Sequence, residues 1–297
     1  MALQDCPLNR NEKLRELEAH GTLAFPCAGY REHHTAQIQD TIPWHWHDEL
    51  EIICVTEGTL RVQIPAEQYV LNAGDCLAIN ADILHSAGAE PSCVLDSLVF
   101  SPLLIAGSGD SVFARKYLAP LTACRAFRAC RFDRERDSRE IESFFSAFAA
   151  MEQEPAGFEF LVREGLAGIC RSLYLRYLPH LESGGSAHSE DDSRIRRMLD
   201  FIGSHFAEEL TVEQIAAAAG VGSRECLRCF QRTIQLAPGQ YVQRYRMMRG
   251  AELLTETGKS ISEIALDCGF DSPSYFSGMF RRSFGMTPRE YRMKHLP

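Results

Sequence analysis

Apolar and polar positions change their period along the chain. Between 50 and 100 the period is two: in "TLRVQI", Leu60, Val62 and Ile64 fall on one side and Arg61 and Gln63 on the other, as in a half-buried strand. Turn signals at "PAEQ" and "NAGD" set this run apart from the short apolar pieces "CLAI" and "CVLDSLVF". Short strands at such spacing predict a small barrel or sandwich. After about residue 138 the period becomes helical. "SREIESFFSAFAAM" gathers Ile141, Phe144, Phe145 and Phe148 on one face, and "FLVREGLAGICRSLYLRYL" does the same with Leu161, Ile169, Leu173 and Tyr177. These two helices either cover the barrel or pair with a second copy of the chain, and pairing is the reading preferred here. "ESGGSAHSEDD", 182–192, is polar and rich in Gly and Ser, the composition of a flexible linker.

The last third repeats itself. Phe230, Arg232, Pro238 and Tyr241 recur 50 residues later as Phe280, Arg282, Pro288 and Tyr291, and Ile215, Ala216 and Gly220 recur 49 residues later as Ile264, Ala265 and Gly269. Each copy predicts a short helix, a glycine turn and a second helix. In the first, Gly220–Gly222 make the turn and Ser223 is the expected N-cap. In the second, Ser260–Glu263 form a capping box, Gly269 turns the chain and Ser272–Pro273 start the next helix. That grammar is a helix-turn-helix. Cys226, Cys229 and Phe230, or Phe276, Met279 and Phe280, point inward at helical spacing. Arg224, Glu225 and Arg228 are left outward on one unit, and Ser274, Tyr275 and Ser277 on the other. A single such unit is more often part of a plain helical bundle. Two copies, with Arg228, Arg232, Arg281 and Arg282 nearby, favour DNA.

Charge supports this division. The net charge is −9, yet residues 193–297 hold 15 Lys+Arg against 11 Asp+Glu, a balance of +4, and the first 192 hold 16 against 29, a balance of −13. Only the C-terminal part is suited to approach a polyanion. The start, "MALQDCPLNRNEK", has no secretory pattern and no apolar run spans a bilayer, so a cytoplasmic protein is expected, with no membrane partner. Eleven scattered cysteines, Cys54 and Cys170 among them in apolar stretches, are expected to be reduced and buried. The Cys226–Cys229 pair is expected in a core.

With those residues in place, 193–297, and above all "SISEIALDCGFDSPSYFSGMFRRSFGMTPREYR", resembles the DNA-binding domain of AraC/XylS-type bacterial transcription regulators. "IPWHWHDELEIICVTEGTLRVQI" resembles the cupin-like sensing domain found ahead of it in many such regulators. Gly278 departs from the pattern, standing where these regulators often carry a basic or larger side chain. The cupin pattern HxHxxxE, six residues, then Gly is met by His45, His47, Glu51 and Gly58, and "GDCLAINADILHSAG" offers His85, with Asn80 and Asp82 in place of the usual Pro and Gly. Even spacing predicts His45, His47 and Glu51 on one strand face, inside the barrel, with Trp44 and Trp46 opposite. Imidazole and carboxylate suit zinc, iron, nickel or manganese. Three uses are open: a metal-free pocket for a small polar effector, placed first; a divalent metal site, second; an enzyme site, a distant third.

The expected protein is therefore α+β, with a cupin-like sensing domain over 1–137, a helical dimerisation or covering segment over 138–181, a linker over 182–192 and an all-α double helix-turn-helix domain over 193–297. It is read as a non-enzymatic DNA-binding regulator controlled by a small-molecule effector, such as a sugar or other polar metabolite. The alternative is a cupin dioxygenase or isomerase fused to helices. Expected partners are double-stranded DNA, the effector, a second copy of the chain and, for an activator, RNA polymerase. No cofactor is assigned beyond the metal alternative.

Overall fold

The computed structural model describes residues 3–4, 15–16, 20–37, 40–65, 67–181 and 190–295. The chain gathers into two compact units; among the described residues the first holds most of the chain up to 181, and the second holds 37 and 40–41 together with everything from Glu190 on. The 182–189 part of the expected linker lies outside the described residues. Residues 190–192 of the expected linker are already helical.

The first unit contains strands β1 Cys27–Thr35, β2 Ile42–His45, β3 Leu50–Ile64, β4 Glu67–Asn72, β5 Cys76–Ile79, β6 His85–Phe100 and β7 Ala129–Phe132. They form one antiparallel sheet in the order β1-β6-β3-β5-β7, with β2 also on β6 and β4 also on β3. The two long strands exchange partners along their length: β3 pairs β5 through Glu51–Cys54 and β4 through Thr59–Ile64. Register shifts against β6 at Val55/Glu57 and Gly58/Leu60 bend the pair. Gly58 sits at one of these bulges with φ 73°, and a Cβ there would collide with the Ser92 carbonyl.

Side chains on β3 alternate between two cores. Ile52 and Cys54 join a cluster with the covering helices, whereas Ile53, Val55, Leu60 and Val62 join Leu71, Leu77, Ile79, Ile83 and Leu95 on the other face. Strands β3–β6 all contribute to this cluster, the interior expected of the cupin-like domain. Both faces are covered, so "LEIIC" is buried throughout instead of alternating.

Cys54 and Cys76 lie directly opposite in the β3·β5 register, Cα atoms 4.2 Å apart, and form a disulfide. This corrects the expectation of reduced thiols at these two positions: cross-strand neighbours bring side chains together in a way that scattered spacing along the sequence does not reveal. Cys27, Cys93, Cys124, Cys130, Cys170, Cys226, Cys229 and Cys268 are buried thiols.

Short turns α1 Leu103–Ala106 and α2 Ala119–Thr122, with the π-helical stretch Ala114–Leu118 between them, lead into β7 and then to α3 Ser138–Gln153 and α4 Phe158–Leu181. Phe144, Phe148, Val162, Leu166, Ile169, Cys170 and Leu173 pack on the outer face of the sheet. Leu161 does not, at 45 % exposed. The apolar positions of α4 run along two faces, and periodicity alone selected one residue from the wrong stripe. Asp137 anchors the junction, accepting from the Asp133 amide at 2.8 Å and from the Arg176 guanidinium.

The second unit is helical: α5 Glu190–His205, α6 Val212–Ala218, α7 Ser223–Thr233, α8 Pro238–Glu256, α9 Ile261–Asp267, α10 Pro273–Phe284 and α11 Pro288–His295. Capping boxes open α6 (Thr211/Gln214) and α9 (Ser260/Glu263), and Ser272 caps α10. Helix α7 is capped by Gly222 instead of Ser223, whose hydroxyl donates to Glu213 at 3.2 Å. Gly220 and Gly269 take positive φ in the two turns. The 19-residue α8 buries Tyr241, Val242 and Tyr245 along its first half and Met247, Ala251 and Leu254 along its second, serving both helix-turn-helix units.

Candidate functional site

Three imidazoles and a carboxylate meet inside the sheet. His45 ends β2, His47 follows it in the connection, Glu51 is on β3 beside Ile53 on the inner face, and His85 opens β6. The expectation of one shared strand is thus corrected: the chain leaves β2 after His45, and the set is assembled from three strands and a turn. All four are buried. Ligand-capable atoms of His45, His47 and His85 lie within 4.8 Å of one another. Glu51 Oε2 stands 3.5 Å from His47 Nε2 and 3.1 Å from His85 Nε2.

The loop carrying His85 is held by the very residues that depart from the cupin pattern. Asn80 donates to the carbonyls of Thr122 at 2.9 Å and Phe127 at 2.8 Å, and accepts from the Ala81 amide. Asp82 adopts φ 60°, a conformation Gly would take and Asp tolerates, and its amide donates 2.9 Å to the His47 carbonyl.

Each histidine is oriented through Nδ1: to the Pro43 carbonyl at 2.8 Å for His45, the Glu49 carbonyl at 3.2 Å for His47 and the Ile83 carbonyl at 2.8 Å for His85. A carbonyl only accepts, so Nδ1 carries the proton and a neutral ring presents its Nε2 lone pair. Burial, reinforced by His85 and His47, holds His45 well below the ordinary imidazole range. Burial pushes the Glu51 carboxyl up, but His47 and His85 outweigh it and hold Glu51 well below the carboxylate range. In the neutral Nδ1–H tautomer of His85, its Nε2 is an acceptor facing the Glu51 acceptor at 3.1 Å. Glu51 Oε2 and His85 Nε2 are both buried without a hydrogen-bond partner.

In the second unit, Arg224, Arg228 and Arg232 are exposed on α7, and Glu225 is half-buried and ion-paired to Arg228. On and beside α10, Ser274, Tyr275, Arg281 and Arg282 are exposed and Ser277 is half-buried. Cys226, Cys229, Phe230, Phe276 and Phe280 are fully buried, and Met279 is packed against the same core. Gly278 is exposed, with open space where a side chain would stand.

Two family descriptions divide the chain between them: an AraC-like ligand binding domain matches residues 28–164, and a helix-turn-helix domain matches 215–294. The chain is an AraC-type transcription regulator. It is 27 % identical over 285 residues to the uncharacterised HTH-type transcriptional regulator YdeC of Bacillus subtilis, covering 95 % of this chain and 97 % of that one. It is 25 % identical to the transcriptional activator RhaS of Klebsiella pneumoniae, covering 86 % and 88 %, and 24 % identical to the melibiose operon regulatory protein of Escherichia coli, covering 90 % of each. These relatives are named as transcription regulators and not as enzymes.

In this regulator, the ligand-binding unit fits a divalent metal ion on chemical grounds. Three imidazole Nε2 atoms and a carboxylate are a first-row transition-metal set, and each histidine has the backbone partner that fixes a ligating tautomer. A cation would satisfy the facing Glu51 and His85 atoms that otherwise have no partner. A cavity of about 640 Å³, lined by Phe25, Glu159 and Arg163 among others, reaches the cluster through its lining residues His20 and Glu49 and not through His45, His47, Glu51 or His85 themselves. Glu16 and His20 also reach the site, and neither was singled out from sequence. Their signal there is only a Glu-x-x-x-His spacing some 25 residues before the histidine pair.

Proposed function

We propose that this AraC-type regulator is a cytoplasmic homodimer whose N-terminal site holds a divalent first-row transition-metal ion through His45, His47, Glu51 and His85. When bound, the ion supplies a fixed positive charge that can hold an oxygen donor of a small polar effector. The observation that carries this reading is the buried, unpartnered pair Glu51 Oε2 and His85 Nε2 at 3.1 Å. It reverses the order of preference reached from sequence, which placed a metal-free pocket first. The adjoining cavity supports a second component: its size falls within the roughly 300–1,000 Å³ of small-molecule sites.

Helices α7 and α10 are read as the DNA-facing helices. Arg224, Arg228, Ser274, Tyr275 and Ser277 contact bases or sugars, with Glu225 orienting Arg228, and Arg232, Arg281 and Arg282 contact phosphates. No helix among the described residues is long and apolar enough to cross a membrane.

The test is metal content and DNA binding of protein purified without a histidine tag. Wild type should approach one ion per chain, and chelator should shift its DNA affinity. His47→Ala should lose the ion and the shift while keeping basal DNA affinity. Wild type with far less than one ion, and DNA binding indifferent to chelator, would return the site to the metal-free effector reading.

A further inference from the structure

This inference rests on the cation site proposed above. A divalent ion among three neutral imidazoles and Glu51 would keep a net positive charge where every ligand is buried, and an unbalanced buried charge is costly. A second carboxylate stands at the same place. The Glu16 side chain is 2 % exposed, and its Oε2 lies 3.9 Å from His45 Nε2 and 3.3 Å from His20 Nε2. His20 is buried with it. The His20 ring meets His47 edge-on at 5.2 Å, its Nδ1 is 2.8 Å from the Tyr30 hydroxyl, and its Nε2 faces the Glu16 carboxylate.

The backbone holds this carboxylate inward. The Glu16 amide donates 3.0 Å to the Trp46 carbonyl, between His45 and His47. Arg15 lies over the Trp46 ring at 5.6 Å and pairs with Asp48. Both neighbours of Glu16's anchor are therefore metal-site histidines, and the acid is directed at them instead of at solvent. Residues 15–20 precede the matched ligand-binding domain, which begins at 28. A structural filler at this position would be cheaper as an apolar pair than as a buried acid and imidazole.

We propose that Glu16, oriented by His20, supplies the second carboxylate of the buried cation site, so that a divalent ion is held charge-neutral.

The experiment titrates full-length, tag-free protein with Ni²⁺ against a chelating competitor, and follows trypsin cleavage after Arg15 with and without Ni²⁺. Glu16→Gln keeps the shape and removes the charge. It should weaken Ni²⁺ binding by about tenfold or more without changing the stoichiometry or the circular dichroism, and Glu16→Asp should recover part of the loss. Saturating Ni²⁺ should slow cleavage after Arg15 in wild type. Equal Ni²⁺ affinity in Glu16→Gln, or cleavage that Ni²⁺ leaves unchanged, overturns the role of Glu16 and leaves the four-residue site standing. Wild type that takes up no Ni²⁺ overturns both. If Glu16→Gln does not fold, the cleavage comparison on wild type decides.

Discussion

Arg246 donates 2.9 Å to the Gly269 carbonyl, from the middle of α8 to the turn of the second helix-turn-helix. The same guanidinium donates to the Phe206 carbonyl at 2.6 Å and the Glu208 carbonyl at 2.7 Å, just after α5. One side chain thus joins the two halves of the DNA-binding unit through three backbone acceptors, and its guanidinium lies over the Phe270 ring at 5.6 Å. Arg246→Met should cost about 2 kcal/mol or more, since partly buried carbonyls lose a charged donor. Urea unfolding of the isolated loss should be accompanied by a larger fall in affinity for a two-turn DNA site than for a one-turn half-site. Equal falls would mean that Arg246 stabilises without setting the relation between the units.

How much of this was legible follows from which contacts are local in sequence. The duplicated Phe and Tyr positions predicted two equivalent cores, and the structure returns them: Phe230 meets Tyr241 with centroids 6.0 Å apart, and Phe280 meets Tyr291 at 5.3 Å. The HxHxxxE spacing found three site residues because they fall within seven positions. Arg246, Glu16 and the Cys54–Cys76 pair were not legible. Each depends on a register or a turn that brings distant residues together, and no period in the sequence encodes it. The faces of α4 were ambiguous for a different reason: both carry apolar residues, and only the packing of Val162, Leu166 and Leu173 on the sheet tells them apart.

That ambiguity yields a separable prediction. Phe144 and Leu173, 1 % and 2 % exposed, belong to the unit's own core, so charging either should unfold it, at about 4 kcal/mol or more. Leu161, Gly168 and Leu175 recur every seven residues on the exposed side of α4, the spacing of a helix–helix seam. Leu175→Glu should fold normally and run as a monomer by light scattering, with DNA affinity reduced but measurable. A Leu175→Glu protein that remains dimeric would move the proposed interface off α4.

Two classes of arginine should differ in kind on DNA. Arg228 projects from α7 and is held by Glu225 one turn earlier. Paired with a guanine it would contribute roughly 1–3 kcal/mol of discrimination, so Arg228→Ala should relax sequence choice in one half of the site. Arg281 and Arg282 lie at the far end of α10. Replacing either should weaken all sequences alike and lower the slope of log affinity against log salt by about one. Titration of site libraries at several salt concentrations separates the outcomes; a uniform loss for Arg228→Ala would make it a phosphate contact.

Asp137 sets a pH dependence. Burial pushes its carboxyl up, but the Asp133 amide, Arg176 and Arg136 outweigh this and hold it below the usual Asp value. A pKa depressed by folding contributes stability that is complete above the unfolded value of about 3.9 and is lost as pH falls through the folded one. Asp137→Asn should therefore cost about 1–3 kcal/mol at pH 7, and its difference from wild type should shrink below about pH 4. Chemical denaturation at both pH values measures it; a difference independent of pH would assign the effect to shape instead of charge.

Glu51 offers the sharpest discrimination at the sensing site. In the metal-free protein its Oε2 confronts a His85 nitrogen that carries no proton when Nδ1 donates to Ile83, at 3.1 Å. Glu51→Gln replaces an acceptor by an amide that can turn its N–H toward that nitrogen, so the orphaned pair becomes a hydrogen bond. The substitution should raise the melting temperature of the chelator-treated protein. It should also remove the stabilisation that metal gives wild type, about 2.7 kcal/mol at an ion concentration one hundred times the dissociation constant. If His85 were instead doubly protonated and paired with Glu51, the same change would break a buried ion pair and lower the melting temperature. The sign of one thermal shift, measured at pH 7 with and without chelator, therefore separates a site waiting for a cation from one that already holds its own charge.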